Sequence, residues 1–319
     1  MRILIIVNSE DAVGYHRLIS THTMLKMMYP NVKIYSILGQ KNLLNVKLSY
    51  FDLIVFSRGL QWSEIESLTN RLREITTAKL VLDIDDYWIL DKHHISYTKE
   101  LSQKIKEQTE ISIKYFDHIT TTHERLKEKI QEINKNVSII PNIINSEELQ
   151  WKKAPKRKGK IKFGFIGGKT HYKDLKFANC DFSKFNSLAY MPIYRDLGFN
   201  INRGKTIKSY GTLLNDFDVS LAPLLPTFFN SCKSNLKVVE AGVKGRAIIC
   251  TKTDPYLDFK SDNIVYVDGG ESWEETMYLL SKDRATVEKL GKGLREEILD
   301  YYNYEKWTKF RMDLYKSIL

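Results

Sequence analysis

Four short groups of residues in this chain have the types and spacing to handle phosphates and hydroxyls. Lys233-Ser234-Asn235 opens a run with Leu236, Val239 and Val243 on one helical face, and Glu240 lies further along it. A helix start offers free backbone N–H groups and the positive end of its dipole, so this start with its lysine suits a phosphate. Glu240 suits a pair of ribose hydroxyls, the job an acidic residue does in other nucleotide-binding α/β folds. Gly167-Gly168-Lys169 follows the apolar stretch Ile161 to Ile166. Its glycines let the backbone approach a ligand, and Lys169 can neutralise a leaving diphosphate. Asp83-Ile84-Asp85-Asp86 ends another apolar stretch, where carboxylates can act as a base, a metal ligand set or a hydroxyl-binding cluster. Gly14-Tyr15-His16-Arg17 follows the first apolar stretch. Each group also has a plainer reading: a tight turn with a surface lysine, a helix cap, a solvated loop, the first residues of a surface helix. His123, a lone histidine at a helix start, reads first as structural. The chain has no Ser–His–Asp ordering, no His-Glu-x-x-His and no Walker loop.

Chemistry at these places requires strands whose ends converge. Short apolar runs at Arg2–Val7, Val32–Ile37, Phe51–Phe56, Leu80–Ile84, His118–Thr121 and Val137–Ile140 read as strands, with helical patterns between them. A second set follows at Ile161–Ile166, Val219–Ala222, Ala247–Thr251 and Ile264–Val267. Alternating strands and helices predict parallel sheets covered on both faces. Asp174 to Tyr210 has weak periodicity and is hard to read. Helices are predicted over Trp273–Leu280, Ala285–Tyr301 and Tyr304–Leu319, the last with Trp307, Phe310, Leu314 and Ile318 as its apolar stripe.

The segment Phe217 to Thr251 resembles the donor-binding segment of glycosyltransferases with the GT-B fold, nearest to the retaining family 4 and its phage-encoded relatives. Glu240-Ala241-Gly242 and Gly245-Arg246-Ala247 match the second half of that pattern; its first acidic position falls on Cys232, and Ala247 replaces the usual proline. The glycine-rich turn at Gly167, the Asp-rich turn at Asp85 and the Gly-Tyr-x-Arg loop at Gly14 extend the resemblance. It implies an α/β fold of two Rossmann-like domains with parallel sheets facing across a cleft. The expected division is 1–154 on the acceptor side, 155–301 on the nucleotide-sugar side, and a helix at 302–319 crossing back to the first domain. It implies a nucleotide-sugar-dependent glycosyltransferase of retaining type. Gly14, Gly167, Gly168, Lys169, Lys233, Ser234, Asn235 and Glu240 would hold the donor, and Arg17, Asp85 and Asp86 would face sugar or acceptor. The expectation is a nucleotide sugar as co-substrate, with no cofactor and no metal.

Composition bounds the setting. The 319 residues suggest about two domains. No run approaches the ~20 apolar residues of a membrane span. The first six residues read as a strand and not as a signal peptide. Three scattered cysteines show neither disulfide nor zinc spacing, so the expectation is the cytoplasm, that of the host for a phage-encoded protein. The formal charge is +10, and the densest run, Trp151 to Lys176, has ten Lys and Arg against one Asp. It reads as a solvated linker or as an electrostatic guide for anions. The acceptor stays open: a hydroxymethylated base in double-stranded DNA, a polysaccharide, a lipid-linked sugar or a protein. A non-catalytic nucleotide-sugar or nucleic-acid binding module and a sugar epimerase are the other readings.

Overall fold

Apolar, β-branched runs in this chain stop at turn residues and become strands. The computed structural model describes residues 1–9, 12–60, 65–268 and 272–319. The first sheet has β1 (Arg2–Val7), β2 (Lys33–Leu38), β3 (Leu53–Ser57), β4 (Lys79–Asp83), β5 (His118–Thr121) and β6 (Val137–Ile139), ordered β2-β1-β3-β4-β5-β6. The second has β7 (Phe163–Phe165), β8 (Ser187–Ala189), β9 (Asn200–Ile201), β10 (Val219–Ala222), β11 (Ala247–Thr251) and β12 (Val265–Val267), ordered β12-β11-β10-β7-β8-β9. Every pairing in both sheets is parallel. β1, β3, β4, β10 and β11 are buried on both faces, while the edge strand β2 is largely exposed. The predicted pair of parallel-sheet α/β units is what the chain forms.

Helices cover the sheets: α1 (Ser20–Met28), α2 (Ile65–Ile75), α3 (Lys99–Tyr115), α4 (Glu124–Gln131), α5 (Tyr172–Phe177), α6 (Phe228–Ser231), α7 (Leu236–Lys244), α8 (Ser272–Lys282), α9 (Arg284–Tyr301) and α10 (Tyr304–Ile318). Local chemistry sets their ends. The Thr98 hydroxyl accepts from the Leu101 N–H and starts α3. Gly245, at φ 67°, ends α7 in the left-handed conformation that glycine tolerates best. Among the described residues no helix is long and apolar enough to cross a membrane.

The second sheet has the Rossmann strand order, with β7 and β10 adjacent and the chain leaving in opposite directions from them. That switch point opens a crevice at the carboxyl ends of the strands. Two elements differ from the sequence reading. The segment 174–210 holds β8 and β9, which are three and two residues long and too short to show a period. In α10 the buried residues are Thr308, Arg311, Met312 and Tyr315, while Phe310 of the expected stripe is 43% exposed. Met312 and Tyr315 pack into the apolar cluster under β1 and β3, beside Leu18 and Leu25.

Candidate active site

The site is built from the carboxyl ends of strands in both units. After β7 the chain turns through Gly167 and Gly168 into a single helical turn, Lys169–His171. Gly167 has no room for a side chain: a Cβ there would lie 2.6 Å from the Phe165 ring. Gly168 is exposed and its carbonyl accepts from the Tyr194 hydroxyl. After β10 the chain passes Lys233, Ser234 and Asn235 and enters α7. The α7 start has no side-chain cap, so its first N–H groups remain available to a ligand. Lys237, the second residue of α7, reaches back to the β7 turn: its Nζ donates to the Ile166 carbonyl at 2.5 Å and lies 5.0 Å from the Phe165 ring centroid. Burial holds the Lys237 ammonium below the usual lysine range. His171 Nδ1 lies 2.8 Å from Asp174, and Asp174 also accepts from the Leu225 N–H and the Asn230 amide. Burial, the largest effect on His171, pushes it down to about 4. Thr170, His171, Lys233 and, from the first unit, His94 line one small cleft.

The first unit supplies carboxylates. Asp85 and Asp86 follow β4, and Arg58 follows the neighbouring β3. Arg58 Nε donates to Asp85 at 2.9 Å and Nη2 to Asp86 at 3.0 Å. Arg58 has φ 56°, a conformation disfavoured for a side chain of this size, and in it the guanidinium reaches both acids. Burial, opposed by Arg58 and aided by Asp86, leaves the Asp85 carboxyl above the usual range. Lys233 Nζ stands 3.7 Å from Asp86 across the cleft. The Asn142 amide donates to the Ser234 hydroxyl at 2.6 Å. His16 Nε2 is 3.9 Å from Glu240, and both side chains are almost fully buried. Burial raises Glu240 to about 7 and lowers His16 to about 4. Among the described residues no group of three His, Cys, Asp or Glu side chains is placed to hold a metal ion.

No family model matches the chain, and no curated protein matches its sequence. Its structure is similar to that of Anabaena HepE in complex with UDP-glucose. The identity is 13%, the match covers 99% of this chain and 100% of that one, and the TM-score is 0.67. The phage T4 enzyme BGT in complex with UDP-glucose matches with 10% identity over 98% of this chain and 99% of that one, at a TM-score of 0.62. The chain has the GT-B fold. Staphylococcus aureus TarM, solved with fondaparinux, α-GlcNAc-glycerol and UDP, matches with 15% identity over 82% of this chain and a TM-score of 0.56. The chain spans about half the length of TarM, 55% of it.

Within this GT-B frame the expected site residues separate into two groups. Gly167, Gly168, Lys169, Lys233 and Ser234 lie at the carboxyl ends of β7 and β10, with Asp85 and Asp86 opposite. Arg17, Asn235, Gly14 and Glu240 do not open onto the cleft. Arg17 was expected to face sugar or acceptor; it is 2% exposed and grips Asp83 with two hydrogen bonds of 2.8 Å. Its Nη1 donates to the Ile140 carbonyl and to Asn142. A guanidinium enclosed beside a carboxylate is stable only when paired this fully. Asn235 donates to the Tyr302 hydroxyl at 2.6 Å. Gly14 packs against the end of β1, where a Cβ would lie 2.1 Å from the Ser9 carbonyl. Glu240 is enclosed by His16 and Tyr210. Cys232, at the position of the missing acid, is fully buried in the apolar core of the first unit. His123 contacts Asp258 of the second unit at 3.5 Å.

Arg58, Lys237 and Asn142 were not among the expected site residues. Lys237 stands four residues after Lys233, but Lys233 precedes α7, so helical spacing does not pair them. Arg58 and Asn142 each end a strand, at Ser57-Arg58-Gly59 and Pro141-Asn142. Nothing in the sequence pairs them with Asp86 or Ser234.

Proposed function

We propose that this chain is a glycosyltransferase that moves a sugar from a nucleoside diphosphate sugar, with UDP-glucose as the first donor to test, to an acceptor hydroxyl. The observation that carries the reading is the meeting of the glycine turn after β7, the uncapped start of α7 and Lys233 at the switch point of the second sheet. Such a place offers N–H groups and positive charge to a leaving diphosphate. Whole-length likeness to two structures with UDP-glucose bound supports the choice of donor.

In this reading Lys169, Lys233 and the turn amides hold the diphosphate, and Asp85 and Asp86 bind sugar or acceptor hydroxyls; Glu240, expected to hold ribose, is enclosed by His16 and Tyr210 and is given no ligand contact. Arg17 is a positioning residue that fixes Asp83 beneath the acidic turn. We read the transfer as retaining. A second outcome, inversion, is favoured by the raised Asp85 carboxyl, because a base at the cleft would activate the acceptor directly. The acceptor we favour is a hydroxymethylated base in duplex DNA, supported by the likeness to a DNA-modifying β-glucosyltransferase. A saccharide acceptor is the alternative, supported by the likeness to TarM. The reaction is placed in the cytoplasm, that of the host for a phage-encoded chain.

The test is turnover of radiolabelled UDP-glucose with hydroxymethylated duplex DNA, unmodified duplex and an oligosaccharide mixture. Label in hydroxymethylated DNA alone supports the full reading, and NMR of the product anomer decides retention. Donor turnover with no label in DNA moves the acceptor to a saccharide. Binding without turnover of any donor leaves a non-catalytic module, and free epimerised donor identifies an epimerase.

A further inference from the structure

The edge of the second sheet opposite the cleft carries a cavity of about 320 Å³, a size within the ~300–1,000 Å³ typical of small-molecule sites. Topology places it. Asp218 stands immediately before β10, and Gly245 and Arg246 immediately before β11. The strands are parallel, so these residues mark the amino edge of the sheet, while the Gly167 and Lys233 turns mark the carboxyl edge. The segment Lys153–Arg157, part of the basic run in the sequence, and the first turns of α9 form the other walls.

Seven lining side chains are cationic and two are acidic. Arg157 and Arg284 share Asp218, at 3.5 and 3.3 Å, and Lys156 pairs with Glu288 at 2.7 Å. The positive charge is therefore far from balanced. Arg246 forms the floor: it is 6% exposed and donates to the carbonyls of Leu214, Pro155 and Asn215. Burial, with Arg157 and Arg284 nearby, pushes its guanidinium down to about 10. Arg157 Nε is a buried atom that faces Asp218 at 3.5 Å, beyond hydrogen-bond geometry. Lys153, Lys289 and Lys292 are exposed around the mouth. One sign of charge focused in a concave, low-dielectric surface concentrates anions there. The half-buried guanidinium forks of Arg157 and Arg284 match phosphate oxygens better than scattered surface lysines do.

We propose that this cavity binds a small phosphate-bearing anion of diphosphate-like charge, at a site separate from the cleft. A concavity, not an extended stripe, favours a compact anion over a nucleic-acid backbone. The inference does not depend on the proposed transferase activity.

The test uses the intact chain with inorganic pyrophosphate as the probe. Lysines are acetylated with and without pyrophosphate, and each site is read by mass spectrometry. The expected result is at least threefold protection of Lys153, Lys289 and Lys292, whatever happens at Lys233. In calorimetry the triple variant Lys153→Gln/Lys289→Gln/Lys292→Gln loses that binding event by tenfold or more. These side chains are exposed, so the variant keeps the fold; Arg157→Gln, a half-buried member of the wall, should weaken pyrophosphate binding on its own. Protection confined to Lys233, or unchanged calorimetry in the triple variant, overturns the proposal. Binding of a 20-base-pair duplex that the triple variant loses, with no pyrophosphate binding, also overturns it and assigns the surface to nucleic acid.

Discussion

The Asn142 amide of the first unit donates to the Ser234 hydroxyl of the second at 2.6 Å. Asn142 also accepts from Arg17, whose guanidinium holds Asp83. One side chain thus links the buried ion pair of the first unit to the start of α7 in the second. We expect Asn142→Ala and Ser234→Ala each to lower the midpoint of thermal unfolding. In a double-mutant cycle the pair should show a coupling of about 1 kcal/mol. Strict additivity of the two losses would show that the bond contributes nothing to the contact between the units.

Lys233 faces Asp86 at 3.7 Å and is 21% exposed. Under the proposed function it contacts the diphosphate. A charge-assisted contact of this kind contributes roughly 1.5–3 kcal/mol. Lys233→Ala should weaken UDP binding about tenfold or more in a calorimetric titration, with no change in the circular dichroism spectrum. An unaltered affinity would remove Lys233 from the site.

Arg17→Met leaves Asp83 buried without its partner. The expected loss is about 3–5 kcal/mol, the cost of stranding a buried charge. Asp83→Asn should be milder, because its amide oxygen still accepts from Arg17. Urea unfolding of both variants checks the order. A neutral Arg17→Met would mean that water reaches Asp83.

Glu240 gives the stability a pH signature. Burial raises its carboxyl to about 7 in the folded chain, against an ordinary value of 4.5. A raised pKa means that the folded state favours the proton. The stabilisation is therefore complete below about 4.5 and lost as the pH rises through about 7, a swing on the order of 3 kcal/mol. His16 has the opposite sign: its value falls from 6.5 to about 4, so its contribution is present above about 6.5 and lost as the pH drops through about 4. Glu240→Gln should abolish the alkaline loss between pH 5 and 8 in thermal unfolding. A variant with the wild-type alkaline slope would assign that slope to another group.

Much of the frame could be read along the chain. Strand runs such as Arg2–Val7 and Ala247–Thr251 are continuous apolar segments because both faces of a parallel sheet are covered. Turn chemistry marked their ends, so Gly167-Gly168-Lys169 and Lys233-Ser234 were recognisable where they stand. β8 and β9 were not, because two or three residues carry no period. The inward face of α10 was misread because hydrophobicity pointed to Phe310, while ionic and hydrogen-bonding groups turned the helix. Tyr315 meets the His22 Nε2 at 3.1 Å, and Arg311 donates to Tyr315 within the same buried cluster.

By itself, then, the sequence determined which stretches form strands, that the two sheets are parallel, and where glycines and lysines follow the strand ends. These follow from local rules of period, capping and backbone freedom, which act over a few residues. The tertiary structure decided which side chains reach the cleft. Arg17, Asn235 and Glu240 carry groups that suit a ligand, yet each is enclosed by a partner 50 or more residues distant: Asp83, Tyr302 and His16. Arg58 and Lys233 meet Asp86 from opposite units. Such pairings depend on how strands far apart in sequence stack and how two sheets face each other. Burial then sets the charge that each group carries, and no local pattern encodes it.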